Sequence, residues 1–140
     1  MRLLGRDFKA SLEDAERRAE SLREKAQLLD LAHDTIVVRA LDGTIRFWNH
    51  GAVQMYGYSK RQATGKTLQE LLHTVFPEPP ANIEEKLRND GRWEGELIRT
   101  VQDGKRVMVS SRWVSQLDKD GHACGVMEIS SDITERNQRE

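Results

Sequence analysis

The sequence predicts an α+β domain built on one antiparallel sheet and preceded by a long amphipathic helix. Three observations predict it: a heptad run of apolar residues from Phe8 to Leu29, a block of short capped helices between Asn49 and Gly91, and five extended runs, two before that block and three after it. A chain of 140 residues suits one domain with a modest extension.

The extension comes first. Phe8, Leu12, Ala15, Ala19, Leu22, Ala26 and Leu29 recur at alternating steps of four and three, the spacing of a coiled-coil seam. The stretch from Lys9 to Ala32 holds no Gly or Pro, Glu, Arg and Lys fill its outer positions, and Ser11 with Asp14 supplies a capping start. An amphipathic helix packed on its own domain would also carry an apolar stripe. This one is narrow and Ala-rich, which suits close pairing of two helices better than covering a broad sheet. Lys25 and Asp30 attract across a parallel pair while Arg18 and Arg23 repel, so charge does not fix the orientation. The expectation is a homodimer assembled through a helix over residues 1–33.

After His33 the texture becomes β-branched. Thr35 to Ala40 and Thr44 to Trp48 flank the turn Leu41-Asp42-Gly43 and predict a hairpin. Asn49 then caps a helix over His50 to Tyr56 that stops at Gly57. Two capping boxes follow, Ser59 with Gln62 and Thr67 with Glu70. Pro77, Pro79 and Pro80 precede a helix that turns Ile83 and Leu87 inward and ends at Asp90-Gly91. Trp93 to Val101, Arg106 to Leu117 and His122 to Ile133 form a three-strand meander, with turns at Asp103-Gly104 and Asp118 to Gly121.

Composition narrows the function. Twenty-two basic residues against 23 acidic ones leave a net charge of −1, with no basic run interleaved with aromatics, so nucleic acid is not an expected partner. The apolar runs are too short to span a bilayer and Met1 to Phe8 is too short for a signal peptide, so no membrane insertion and a cytoplasmic location are expected. Cys124 stands alone, which excludes an intrachain disulfide and a multi-thiolate zinc site, and no histidine lies near another at metal-ligand spacing. No nucleophile sits beside a base, no glycine-rich phosphate loop occurs, and no carboxylates are paired, so no catalytic residues are expected and the chain reads as a non-enzyme.

Asp42-Gly43-Thr44-Ile45 leading into Asn49, then Tyr56-Gly57-Tyr58-Ser59 and Gly65-Lys66, resembles the first half of a PAS domain. Trp93-Glu94-Gly95-Glu96, the two Asp-Gly turns and the closing Asp132-Ile133-Thr134-Glu135-Arg136 resemble the second. The resemblance runs in order over about residues 26 to 136. It implies a five-stranded antiparallel sheet of order 2-1-5-4-3 with helices over one face enclosing room for a small-molecule ligand. It also implies a division into a coiled-coil helix over 1–33, a PAS domain over 34–133 and the start of a linker helix over 134–140.

Period-two alternation groups side chains by face, and the resemblance implies which face is inner. The implied pocket residues are Trp93 and Leu97 on the third strand, beside Gly95, and Val109, Ser111 and Trp113 on the fourth, beside Val107. On the fifth they are Val126, Glu128 and Ser130. An inward Glu128 needs a partner such as Arg112 or Arg99, or a polar ligand; a one-residue shift of register would expose it and bring Met127 and Ile129 inward instead. In the family, the acidic residue at Asp132 ties the last strand to the domain and Thr134 opens the outgoing helix, which makes both transmission residues; Asp132 as a simple cap of that helix is the alternative.

Two cofactors can be weighed against the resemblance. LOV-type flavin photochemistry needs a cysteine in the short helix over Thr67 to Leu72, which has none. Haem-binding members carry an axial histidine in the helix that here reads Pro80 to Asn89, which also has none, leaving His73 just before it as the sole candidate ligand beside a plainer reading as a helix-end histidine. His33 extends the seam, His50 opens a helix and His122 sits in a turn. The expected function is a sensory module that relays ligand or environmental state to an effector, on family frequency a sensor histidine kinase of a two-component system, with the chain a fragment of that receptor. A ligand-free dimerisation adaptor is the alternative.

Overall fold

The computed structural model describes residues 2–31 and 33–134, with side chains described for 9–25, 27, 28 and 33–134. Two compact units result, Met1–Leu31 and Ala32–Glu140.

The first unit is a single helix, α1, over Arg2–Leu31. At 1.5 Å per residue it is about 45 Å long. Its start differs from the Ser11 cap expected from sequence. Leu3, Leu4 and Arg6 are good helix formers, and the single Gly5 costs only about 1 kcal/mol, too little to stop the helix. Asp14, freed from capping, pairs with Arg17 one turn on. Leu12 and Leu22 of the seam are 49% and 66% exposed, and Ala15 and Ala19 are exposed beside them. The seam side chains of Phe8, Ala26 and Leu29 lie outside the described residues. His33 lies in a bend after the helix, so it does not continue the seam.

The second unit is an antiparallel sheet in the order β2-β1-β5-β4-β3. Its strands are β1 (Thr35–Arg39), β2 (Ile45–Trp48), β3 (Arg92–Thr100), β4 (Arg106–Leu117) and β5 (Ala123–Asp132). Strand ends fall within a residue of those expected, a difference at the level where strands fray. The β1–β2 turn closes because Gly43 adopts φ +95°, which favours glycine, while Asp42 Oδ1 accepts from Thr44 N at 2.9 Å.

Four helices cross between β2 and β3: α2 (His50–Tyr56), α3 (Lys60–Ala63), α4 (Leu68–Leu72) and α5 (Pro80–Asp90). Both capping boxes form, each with its side chain and backbone bonds reciprocated. Asn49, fully buried, does more than cap. Its Oδ1 accepts from Ala52 N at 2.9 Å and from Ile36 N at 2.8 Å, and its Nδ2 donates to Asp34 O at 3.0 Å. One amide thus locks the start of α2 to the entry of β1. Gly51 is required beside it, since a Cβ there would meet Asp34 O at 2.3 Å.

Apolar side chains gather in two clusters on the helix side of the sheet. Trp48, Tyr56 and Leu72 anchor one; Trp93, Leu97 and Trp113 anchor the other. Met55 and Val107 touch both. Register is unambiguous: Glu128 lies opposite Val37 of β1 and Trp113 of β4. Val126, Glu128 and Ser130 are therefore buried, while Met127 and Ile129 take the other face and stay half-buried.

Candidate functional site

The alternation that buries Glu128 also buries two arginines. Arg39 follows Thr35 and Val37 on the inner face of β1, and Arg99 follows Trp93 and Leu97 on that of β3. Glu128, on central β5, bridges them. Its Oε2 accepts from Arg39 Nε at 2.6 Å, and its Oε1 accepts from Arg99 Nη2 at 2.5 Å. Arg99 Nη1 donates to the Tyr56 hydroxyl at 2.8 Å and its Nε to Thr74 Oγ1 at 3.3 Å. The three charged residues are 5%, 1% and 1% exposed, for Arg39, Arg99 and Glu128 respectively. Burial of this depth is tolerable because every charge is hydrogen-bonded. Burial alone would depress the Arg99 pKa, but the Tyr56 oxygen and the Glu128 carboxylate outweigh it and hold the guanidinium charged above its ordinary range. The Arg39 guanidinium also lies 4.9 Å over the Trp113 ring.

This ionic knot floors a cavity of about 540 Å³. Phe76 and Trp113, edge to face at 6.2 Å, form one wall. Leu68 and Pro80 add apolar surface, and the exposed Leu41 and Asp42 stand at the rim. Glu84 of α5 reaches in from one side, with Oε1 at 4.0 Å from Arg39 Nη2.

Of the pocket residues read from sequence, Trp113 and Glu128 line the cavity. Leu97, Val109 and Val126 are core. Trp93 lies over Gly95, packs tilted against Trp113 with ring centroids 4.9 Å apart and donates to Glu78 at 3.3 Å. Ser111 and Ser130 bond each other at 2.8 Å, and Ser111 accepts from Trp113 Nε1 at 2.9 Å. The two serines therefore orient the indole that supports Arg39. Glu128 takes Arg99 as its partner and not Arg112, which points from the opposite face of the sheet and stands 3.8 Å from Glu94 in solvent. Arg39, Tyr56 and Thr74 of the knot, and Leu68, Phe76, Pro80 and Glu84 of the cavity lining, join the site beyond the residues the sequence marks; extending the inner-face alternation of β1 by one step marks Arg39.

His73 caps the C-terminus of α4 in the left-handed conformation, φ 45° and ψ 52°, and is exposed. It does not line the cavity. Cys124 lies on β5, also outside the cavity lining, its carbonyl accepting from Arg46 Nη1 at 3.0 Å. The β4–β5 turn gathers Asp118, Asp120 and His122 in solvent; Asp118 Oδ1 is already engaged by the amides of Asp120 and His122.

The exit of β5 is tied by Thr134. Its hydroxyl accepts from Met108 N at 2.9 Å, and Ile133 N donates to Met108 O at 2.9 Å. Asp132 is exposed and its Oδ1 accepts from Thr134 N at 2.9 Å. The carboxylate therefore shapes the turn, and the threonine makes the link to β4.

A five-stranded antiparallel sheet of this order, with short helices over one face and a cavity beneath them, defines an α+β architecture built on a single sheet. The family model of the PAS fold matches residues 23–129. The PAS domain of a protein from Colwellia psychrerythraea is 31% identical with a TM-score of 0.70, covering 82% of this chain and 98% of its own. The PAS domain of an HTR-like protein from Haloarcula marismortui is 21% identical with a TM-score of 0.68, covering 86% and 98%. That of nitrogen regulation protein NR(II) from Vibrio parahaemolyticus shares the fold at 12% identity and a TM-score of 0.66, covering 78% and 97%. Comparison with curated proteins finds no match. The chain belongs to the PAS family.

Proposed function

We propose that the chain is a non-enzymatic sensory module. Occupancy or packing of the cavity biases the sheet, and the bias leaves through β5 and the segment after it to an effector, a sensor histidine kinase being our choice. The observation that carries the proposal is the position of Glu128. It joins β1 and β3 at the cavity floor, and it lies on the same strand as the Asp132 exit, four residues and roughly 13 Å away. A change in the knot has a short, hydrogen-bonded route to the outgoing segment. We place the module in the cytoplasm, and no described helix is long and apolar enough to cross a membrane.

The same proposal makes the chain a homodimer through α1, because the seam residues Leu12 and Leu22 are exposed along a regular helix. A ligand-free dimerisation adaptor is the second reading. It is favoured by the pairing of the buried polar atoms: among the described residues, no fully buried side-chain nitrogen or oxygen lacks a hydrogen bond.

Native mass spectrometry of freshly purified protein separates the two. A retained small-molecule mass supports sensing; a bare polypeptide mass supports the adaptor. Light scattering of the chain lacking residues 1–25 tests the dimer: a monomer is expected, and an unchanged dimer overturns the role of α1.

A further inference from the structure

The two buried arginines differ in what they still offer. Arg99 has all three nitrogens engaged, by Thr74, Tyr56 and Glu128. Arg39 does not. Its Nε is held by Glu128 and its Nη1 donates to Ala40 O at 3.3 Å, but among the described residues Nη2 makes no hydrogen bond; Glu84 Oε1, at 4.0 Å, is too distant for one. A guanidinium 5% exposed thus lines the cavity with an unused pair of donors.

Charge points the same way. Arg39 and Arg99 together oppose the single carboxylate of Glu128, leaving one positive charge in excess at the buried floor. Among the described residues the remaining carboxylate paired with either guanidinium is Glu84, whose side chain is 47% exposed and therefore well solvated. One further negative charge at Nη2 would balance the floor. A second would face Glu128, Glu84 and Asp42 across the same space. Beyond the arginine, Leu68, Phe76 and Pro80 reward an apolar body, while the polar lining residues there are already engaged with each other and with the knot: Gln69 Nε2 donates to Thr74 O at 3.3 Å and Thr74 Oγ1 accepts from Arg99.

Building on the sensory reading, we propose that the cavity binds an amphipathic monocarboxylate. Its carboxylate docks on Arg39 Nη2 in place of Glu84, and its apolar body packs against Phe76 and Leu68. Trp113, under the guanidinium and fixed by Ser111, holds Arg39 in position for this contact.

The test is calorimetric titration of the full chain with 2-naphthoate and with 2-naphthamide, its uncharged counterpart of the same shape. The acid is expected to bind one-to-one and at least about tenfold more tightly than the amide, a difference of one charge-assisted contact. Glu84→Gln removes the competing carboxylate from a half-exposed position, where folding should be unaffected, and is expected to tighten the acid several-fold while leaving the amide unchanged. Equal affinity for acid and amide, or an acid affinity that Glu84→Gln leaves unchanged, overturns the carboxylate site but leaves ligand sensing standing. Absence of binding by either compound at millimolar concentration also overturns it, and a bare mass in the native spectrum then removes the sensory reading separately.

Discussion

Glu128→Ala is the substitution whose cost follows most directly from the structure. It removes the acceptor of two charge-assisted hydrogen bonds, at 2.6 and 2.5 Å, from a residue that is 1% exposed. Bonds of this kind contribute about 1.5–3 kcal/mol each, and breaking a buried ion pair by deleting one partner costs about 3–5 kcal/mol, so the two routes agree on a loss of about 3–5 kcal/mol. A domain of this size has about 5–15 kcal/mol in hand and loses about 4 °C or more in Tm for each kcal/mol, which puts the fall at roughly 12 °C or more. Urea unfolding followed by tryptophan fluorescence measures it, with an unchanged m-value to show that the native surface is the same. Replacing the whole knot, Arg39→Met with Glu128→Met and Arg99→Leu, should recover most of the loss, because a packed apolar substitute leaves no charge to desolvate. A Glu128→Ala protein within about 1 kcal/mol of the parent would refute the reasoning, as would a triple variant no more stable than the single one.

Asn49→Ala leaves the Ile36 amide without its acceptor and uncaps α2; about 2–4 kcal/mol should be lost, read by the same urea titration. Thr134→Val removes the acceptor of Met108 N while keeping its shape, so amide exchange at Met108 should quicken locally with global stability lowered by only about 1 kcal/mol. Asp42 titrates below the usual carboxylate range because the Thr44 backbone N–H donates to its charged form. A lowered folded pKa means its contribution is present above the unfolded value and is lost as pH falls through the folded one. Asp42→Asn should therefore flatten stability against pH on the acid side, below about pH 4, and leave the slope around neutral pH unchanged.

The elements were legible because their signals are local. Asn49, Ser59 with Gln62, and Thr67 with Glu70 each satisfy amides within three residues, and glycines such as Gly57 and Gly91 stand where the backbone turns left-handed. The site was legible by half. Alternation put Glu128 and Trp113 on the inner face, but their register could slip by one, and only the pairing of β5 with both β1 and β4 fixes it. Arg39 was missed because its role is wholly non-local: 89 residues separate it from Glu128, and an arginine at the end of a short strand otherwise reads as a solvated edge. Ser11 misled for the opposite reason. Its spacing to Asp14 is that of a capping box, yet good helix formers upstream carry α1 through it to Arg2.

The central claim, that the cavity floor communicates with the exit of β5, is tested most directly by amide exchange of the full chain carrying Glu128→Gln. This change keeps the side-chain shape and alters the charge of the knot. The account predicts faster exchange at Met108 and Ile133, whose amides hold the exit segment, beyond any change in global stability. Altered exchange confined to the residues around Arg39, Tyr56 and Arg99, with Met108 and Ile133 unchanged, would contradict it.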